Sequence, residues 1–193
     1  MKKLLALFCI LVCAAGMVFA DDYDSDDEYD DIYIYESNGS GDQMVKIGVM
    51  PWFALNFGDK IYPGASAELG YYRFLNKWLA VGGELTITFN MTIGNNALTS
   101  VPVTLGVMGQ PSFGKFEFPI TLSAGIAYET AQNSSYFPGF VFKAEGGACY
   151  RFSEMWSFGA MCTFMWQPQW FKDSKYNDNA FFMAPSLCAR YHL

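Results

Sequence analysis

Histidine is almost absent from this chain, and charge is scarce. The single histidine is His192, next to the last residue, and only 16% of the residues are charged. Nucleophilic hydrolysis of the Ser–His kind needs a histidine beside its nucleophile, and no such motif surrounds His192. Paired glutamates could act as acid and base, but no spacing singles out a pair. We therefore expect no enzyme and no catalytic residue.

Basic residues are few and nowhere clustered, which argues against a nucleic-acid partner. Nine of the nineteen acidic residues lie between positions 21 and 36, where there is no base. The chain after residue 36 carries ten acidic and ten basic residues, so that part is neutral. A soluble domain of this size needs a charged exterior, and this part of the chain has little charge with which to build one.

Only one long apolar run occurs, from Leu4 to Phe19, behind Lys2 and Lys3. Ala20 follows Val18-Phe19 in an A-x-A-like cleavage pattern, so residues 1–20 are predicted to be a secretory signal peptide. A lipoprotein signal that uses Cys13 is the alternative. No later run approaches the roughly 18 apolar residues of a transmembrane helix.

The acidic stretch from Asp21 to Glu36 is predicted to be disordered, because like charges at this density repel and cannot bury a core. It could also hold divalent cations weakly or dock on a basic partner. Ser37–Gly41 is predicted to be a flexible hinge. We assign residues 21–43 to this acidic tail and hinge, and residues 44–193 to one folded domain.

Three cysteines remain after the signal peptide: Cys149, Cys162 and Cys188. Their odd number and irregular spacing argue against a disulfide framework or a zinc site. We expect them to be small apolar fillers, with one disulfide plus one thiol as the alternative. No metal site and no cofactor is predicted.

Alternating apolar and polar residues dominate the rest of the chain. Between Trp78 and Ile93 every second residue is apolar except Gly83, and small or polar residues lie between them. This period of two predicts a β-strand, and the run exceeds the 9–11 residues with which a tilted strand crosses a bilayer. The same pattern predicts eight strands, at about residues 45–57, 64–74, 78–93, 101–110, 115–129, 139–152, 156–166 and 180–193.

Short turns and longer loops alternate between these strands, as in an all-β, eight-stranded, antiparallel up-and-down transmembrane β-barrel. A soluble barrel of the lipocalin kind has the same alternation with its faces reversed. Composition favours the membrane barrel. The lean face, rich in Gly, Ala, Ser and Thr, suits the narrow interior of eight strands, whereas the large aromatic face does not.

The predicted signal peptide, eight amphipathic strands and aromatic residues beside the turns resemble the small outer-membrane barrels of the OmpA-domain, OmpX and OmpW group. The last strand ends Leu187-x-Ala189-x-Tyr191-x-Leu193, which resembles the C-terminal assembly signal of that group, although its members usually end in Phe. The resemblance implies an outer-membrane location, lipids as surroundings and recognition by the barrel-assembly machinery.

Nine charged side chains are predicted to point into the lumen, where an isolated charge is costly unless it is paired. We expect a salt-bridge network that closes the barrel; a gated, ion-selective pathway is the alternative. The nine are Lys46, Glu68, Glu84, Glu117, Glu129, Lys143, Glu145, Arg151 and Arg190. Five loop aromatics are candidate contacts for a partner: Tyr136, Phe137, Trp170, Phe171 and Tyr176.

Three functions follow from these features. The first is a narrow channel for small or hydrophobic solutes, as the resemblance to OmpW implies, with a gap lined by Met50, Trp52, Met161 and Met165. The second is a non-conducting structural barrel with a continuous salt-bridge network. The third is an adhesin-like surface-binding protein that uses the loop aromatics. A soluble, lipocalin-like binding barrel is a lesser alternative.

Overall fold

The computed structural model describes residues 38–57, 60–131, 134–169 and 178–193. The predicted signal peptide and acidic segment lie outside these residues. The described strands are β1 (Gln43–Ala54), β2 (Gly64–Phe74), β3 (Leu79–Met91), β4 (Ala97–Gly109), β5 (Ser112–Phe113), β6 (Phe116–Glu117), β7 (Ile120–Ala131), β8 (Ser134–Arg151), β9 (Trp156–Gln169) and β10 (Asp178–His192).

Eight long strands form one closed antiparallel ring. Their order around the ring is β1, β2, β3, β4, β7, β8, β9 and β10, and pairing of β10 with β1 closes it. The two short strands β5 and β6 form a small hairpin between β4 and β7, and β6 pairs with the end of β8. The predicted eight-stranded barrel is confirmed.

The exterior of the barrel is apolar, and the interior holds the polar and charged side chains together with some apolar ones. Large outward side chains are exposed on all the long strands, among them Ile87 of β3, Leu105 of β4 and Leu122 of β7. Among the described residues, the buried polar set includes lysine, arginine, glutamate, serine and threonine. A lipocalin-like barrel has the opposite arrangement, so that alternative is wrong. No helix in the described part of the chain is long and apolar enough to cross a membrane.

Most predicted strand boundaries differ from the structure by a few residues, and two differences change how the strands pair. The fifth predicted strand, residues 115–129, is interrupted at Phe118 and Pro119, because proline cannot donate to a ladder. Residues 130–138 were expected to form a polar loop, but 134–138 belong to β8 and continue its pairing with β7, for example Tyr136 with Glu129. This hairpin therefore extends beyond the limit that its polar composition indicates.

Both ends of the folded domain lie at the same end of the barrel as the tight turns after β2 and β8. Gln43 and Leu193 exchange backbone hydrogen bonds, and the nitrogen of Gly41 donates to the carbonyl of Phe74 at 2.8 Å. Asn38 is buried and accepts a hydrogen bond from Arg151 at 3.2 Å. The described residues of the expected hinge are thus bonded to this end of the barrel.

Candidate functional site: the charged lumen

Five charged side chains meet in the middle of the lumen, and all of them are buried. Lys46 of β1 lies 3.0 Å from Glu68 of β2 and 2.6 Å from Glu84 of β3, and it also contacts Glu145 of β8. Lys143 of β8 reaches the same three glutamates at 2.6, 2.7 and 3.4 Å. We call these five residues the central cluster. Each of its ammonium groups contacts each of its carboxylates.

Neutral donors complete the central cluster. The hydroxyl of Tyr72 donates to Glu84 at 2.7 Å, and the hydroxyl of Thr163 donates to Glu145 at 2.9 Å. Glu68, Glu84 and Glu145 hold oxygens within 4.8 Å of one another, as in a cation site. The cation positions among these oxygens are taken by the two ammonium groups, so the arrangement does not offer a metal centre.

A second group of charges fills the lumen nearer the tight turns. Arg190 of β10 contacts Glu117 of β6 and donates to Gln110 at 2.8 Å and to Ser157 at 3.1 Å. Arg151 lies 3.5 Å from the same glutamate. We call these five residues the lower cluster. The only histidine, His192, hydrogen-bonds to Ser157 at 3.0 Å at its edge.

The structure brings eight of the nine predicted lumen charges into these two clusters. Four bases, Lys46, Lys143, Arg151 and Arg190, face the four carboxylates Glu68, Glu84, Glu117 and Glu145. The ninth residue, Glu129, lies apart from them on β7 and accepts a hydrogen bond from Gln169 at 2.6 Å. The formal charge of the two clusters together is therefore zero.

Apolar side chains fill the lumen on the other side of the central cluster. Trp52 stacks on Phe182 with 5.4 Å between ring centroids, and Met50 and Met165 belong to the same buried group. Three of the four residues of the expected gap, Met50, Trp52 and Met165, thus pack against one another, and the fourth, Met161, lies in a separate buried cluster. A cavity of about 80 Å³ lies nearby, among Phe57, Asn90, Glu129, Gln167, Phe182 and others.

The predicted loop aromatics are only partly described. Tyr136 and Phe137 lie in β8, near its junction with β7, and the side chain of Phe137 is 63% exposed. Trp170, Phe171 and Tyr176 lie outside the described residues. The role of these aromatics in binding stays a prediction.

The predicted assembly signal lies on β10, which closes the ring. Leu187 and Leu193 are exposed, and Ala189 and Tyr191 are partly exposed on the same strand. The ring of Tyr191 lies 5.0 Å from that of Trp156 between centroids. These four positions form an outward row, while Arg190 and His192 between them face the lumen.

Sequence reasoning missed the neutral partners of the charges. Tyr72, Gln110, Ser157 and Thr163 all hydrogen-bond to lumen charges. The alternation of the strands predicts that Tyr72, Ser157 and Thr163 lie on the lean face. It does not predict which charged residue each of them contacts, because that depends on which strands face each other across the lumen. Gln110 is the last residue of the fourth predicted strand and continues its lean face, although β4 itself ends at Gly109.

A closed eight-stranded ring with an apolar exterior and a filled polar lumen is the fold of the small outer-membrane β-barrel proteins. Solved structures with this fold include Neisserial surface protein A, with a TM-score of 0.58, 9% identity and coverage of 79% of this chain and 97% of that one. The attachment invasion locus protein Ail of Yersinia pestis matches with a TM-score of 0.53, 15% identity and coverage of 80% and 99%.

Sequence relationships extend beyond the fold. A protein-family model matches residues 24–191, and the chain belongs to that family. Two uncharacterised proteins of Treponema pallidum (strain Nichols) are 28% and 26% identical to it, over 148 and 151 residues. Each alignment covers 69% of this chain, and they span 50% and 68% of the two relatives. The chain thus matches about half the length of the first relative.

Proposed function

We propose that this protein is a non-conducting integral barrel of the outer membrane, secreted through its signal peptide, in which the lumen charges close the pore. The observation that carries the proposal is the saturation of the central cluster. Each of its two ammonium groups contacts all three carboxylates across the lumen, and none of these charges is exposed. The barrel then has a structural role, or it presents its loops at the surface.

Conduction needs sites that a permeating ion can enter and leave. An ion that enters this lumen would have to separate Lys46 or Lys143 from buried carboxylates, and breaking a buried pair costs about 3–5 kcal/mol. The apolar group around Trp52 and Phe182 and the lower cluster add two further barriers along the axis. These three layers favour a closed barrel rather than a channel for solutes.

The first experiment tests the location. The mature chain is refolded in detergent and run on a gel with and without boiling, and the membranes of expressing cells are separated on a density gradient. We expect a β-type circular dichroism spectrum, a mobility shift on boiling and recovery in the outer-membrane fraction. A protein that stays soluble and monomeric without detergent would overturn the proposal.

The second experiment tests closure. We expect the refolded protein to give no stable conductance steps in a planar lipid bilayer in KCl. A channel would instead give regular steps whose ion selectivity changes in Lys143→Met and not in the matched control Lys77→Ala, because Lys77 is an exposed turn residue. Such steps would establish the narrow-channel alternative.

A surface-binding function is the second candidate, and the exposure of Phe137 at the far end of the β7–β8 hairpin favours it. Binding of intact cells to host matrix or to serum proteins would be compared for Phe137→Ser and Leu75→Ser. Leu75 is similarly exposed, but it lies in the tight turn at the opposite end. We expect only the first variant to lose binding. Equal binding by both would remove this candidate.

A further inference from the structure

Three sulfur atoms meet inside the barrel, next to the charged clusters. The Sγ atoms of Cys149 and Cys188 lie 3.8 Å apart, and the Sδ atom of Met161 lies 4.0 Å from Cys149 Sγ. All three side chains are buried, at 1–4% exposure, and form one cluster. They come from three neighbouring strands, β8, β9 and β10. We call them the sulfur cluster.

Two glycines leave room for the sulfur cluster. Gly159 of β9 pairs with Cys149 on one side and with Cys188 on the other. A Cβ atom at Gly159 would clash with Cys149 Sγ, and a Cβ atom at Gly147 would lie 2.7 Å from Met161 Sδ. Each glycine faces the lumen, so the missing side chains allow sulfurs from non-adjacent strands to meet.

A disulfide does not fit this pair. Neighbouring strands are about 4.8 Å apart, so directly opposite residues separated by a whole strand have Cα atoms roughly 9.5 Å apart. A disulfide spans at most about 7 Å between Cα atoms without movement of the backbone. Cys149 and Cys188 are separated in this way by β9. Their thiols can be bridged by an atom that lies between them but not by a direct bond.

We propose that the sulfur cluster binds one soft monovalent metal ion, with Cu(I) as the matching cation. Thiolate and thioether sulfurs are the ligands that select Cu(I). With metal–sulfur bonds of about 2.3 Å, sulfurs at the corners of a triangle around one ion lie about 4 Å apart. The distances from Cys149 Sγ to Cys188 Sγ and to Met161 Sδ match this spacing. Binding replaces two thiol protons by one Cu⁺ and releases both protons to solvent.

The surroundings of the sulfur cluster suit the charge of the bound ion and its two thiolates. Two thiolates and one Cu⁺ carry a net charge of −1, and Arg190 follows Cys188 by two residues on the same inward face of β10. The central and lower clusters cover the two sides of the site along the axis. The ion therefore enters while the barrel closes or opens, rather than through an open pore.

The test refolds the mature chain in detergent without oxygen, with one equivalent of Cu(I), and then removes weakly held copper with bicinchoninate. The background carries Cys162→Ser, because this thiol lies outside the cluster, on the outward face of β9. We expect about one copper per chain and an X-ray absorption spectrum with sulfur neighbours only. Met161→Leu, of similar shape, should weaken binding by about tenfold or more. Cys149→Ala/Cys188→Ala should abolish it.

Boiled and unboiled gels show which variants have folded, and Met161→Leu keeps the test decisive if the double cysteine variant does not fold. Three results would overturn the proposal. The Cys162→Ser protein could retain no copper, its copper could have nitrogen or oxygen neighbours, or Met161→Leu could bind as tightly as its parent. The first two results would leave the cysteines as apolar fillers, and the third would show that copper binds without Met161, so that the three-sulfur site is wrong.

Discussion

At the residue scale, the lumen depends on individual hydrogen bonds to buried charge. Tyr71 and Tyr72 are adjacent in β2 but point to opposite faces, and each hydroxyl donates one side-chain hydrogen bond. Tyr72 donates to the buried Glu84 at 2.7 Å, and Tyr71 donates to the exposed amide oxygen of Gln43 at 2.6 Å. Bonds to charged, buried groups contribute more than bonds between neutral, exposed ones.

This pair gives a matched test of the central cluster. We expect Tyr72→Phe to lower the free energy of unfolding by about 1.5–3 kcal/mol, because Glu84 loses a donor where no water replaces it. Tyr71→Phe should cost about 0.5 kcal/mol or less, because solvent can take the place of its hydroxyl. Urea unfolding in detergent micelles, followed by gel mobility, measures both. Equal losses of unfolding free energy in the two variants would mean that the buried hydrogen bond to Glu84 stabilises the barrel no more than the exposed bond to Gln43 does.

The sequence predicts whether each strand residue points into the lumen or outward, because successive residues of a strand alternate between these two faces. Both Trp78 and Trp156 point outward. The triplet Tyr-Arg-Phe occurs twice, at 72–74 and 150–152, but in opposite phase: Tyr72 and Phe74 are buried in the lumen, whereas Tyr150 and Phe152 are exposed. The alternation of the two strands gives the same result, because it places Glu68 and Arg151 inward and therefore Arg73 outward.

At the element scale, close strand contacts depend on positions without a side chain. A Cβ atom at Gly125 of β7 would clash with the carbonyl oxygen of Val103 and lie 2.7 Å from the Cα atom of Thr104. The nearest atom to a Cβ at Gly109, at the end of β4, would be 4.0 Å away. The sequence alone does not distinguish the two glycines. In the structure, only Gly125 lies where a Cβ atom would clash with its neighbours.

We expect Gly125→Ala to destabilise the barrel by about 2 kcal/mol or more, because backbone atoms rather than flexible side chains would have to move. Gly109→Ala should be neutral or slightly stabilising, because alanine restricts the unfolded chain. The temperature at which the unboiled gel band disappears measures both. Similar temperatures for the two variants would contradict the close approach of β7 and β4.

Strand ends were less predictable than strand faces. Residues 134–138 carry serine, tyrosine and proline, a composition typical of loops, yet they extend β8 by pairing with β7. Pairing across a hairpin can continue into polar sequence when the partner strand continues. The sulfur cluster was hidden for a related reason, because three strands bring its members together although their spacing along the chain is irregular.

At the scale of the whole molecule, the ring closes at a seam between the first and last strands. Pairing of β1 with β10 stops after Val49–Leu187 and resumes at Phe53–Met183. Pro51 and Pro185 lie opposite each other in the interval, and proline has no N–H group to donate. In the described residues, β1 keeps a continuous register with β2 across the same positions. The pairing of β1 with β10 is thus weaker than its pairing with β2.

We expect the seam to open more readily than the β2–β3 ladder. Hydrogen exchange in detergent should be faster for the amides of Phe53 and Leu187, which point across the seam beside the two prolines, than for those of Leu85 and Ile87, which point to β2 in the continuous β2–β3 ladder. Mass spectrometry of peptides from protein exchanged for increasing times measures this. Uniform protection around the ring would show that other bonds make up for the two prolines.

The central cluster also sets the order in which such a barrel can be assembled. Lys46 lies near the start of the folded domain, and its partner Glu145 comes 99 residues later. The β1–β2 hairpin could pair Lys46 with Glu68, but a β3–β4 hairpin that entered the membrane alone would carry Glu84 into hydrocarbon without a counter-charge, at a cost that falls only when β1 and β8 are in place. Insertion of single hairpins is therefore disfavoured. The chain has to gather its strands first and enter the bilayer as a nearly complete ring.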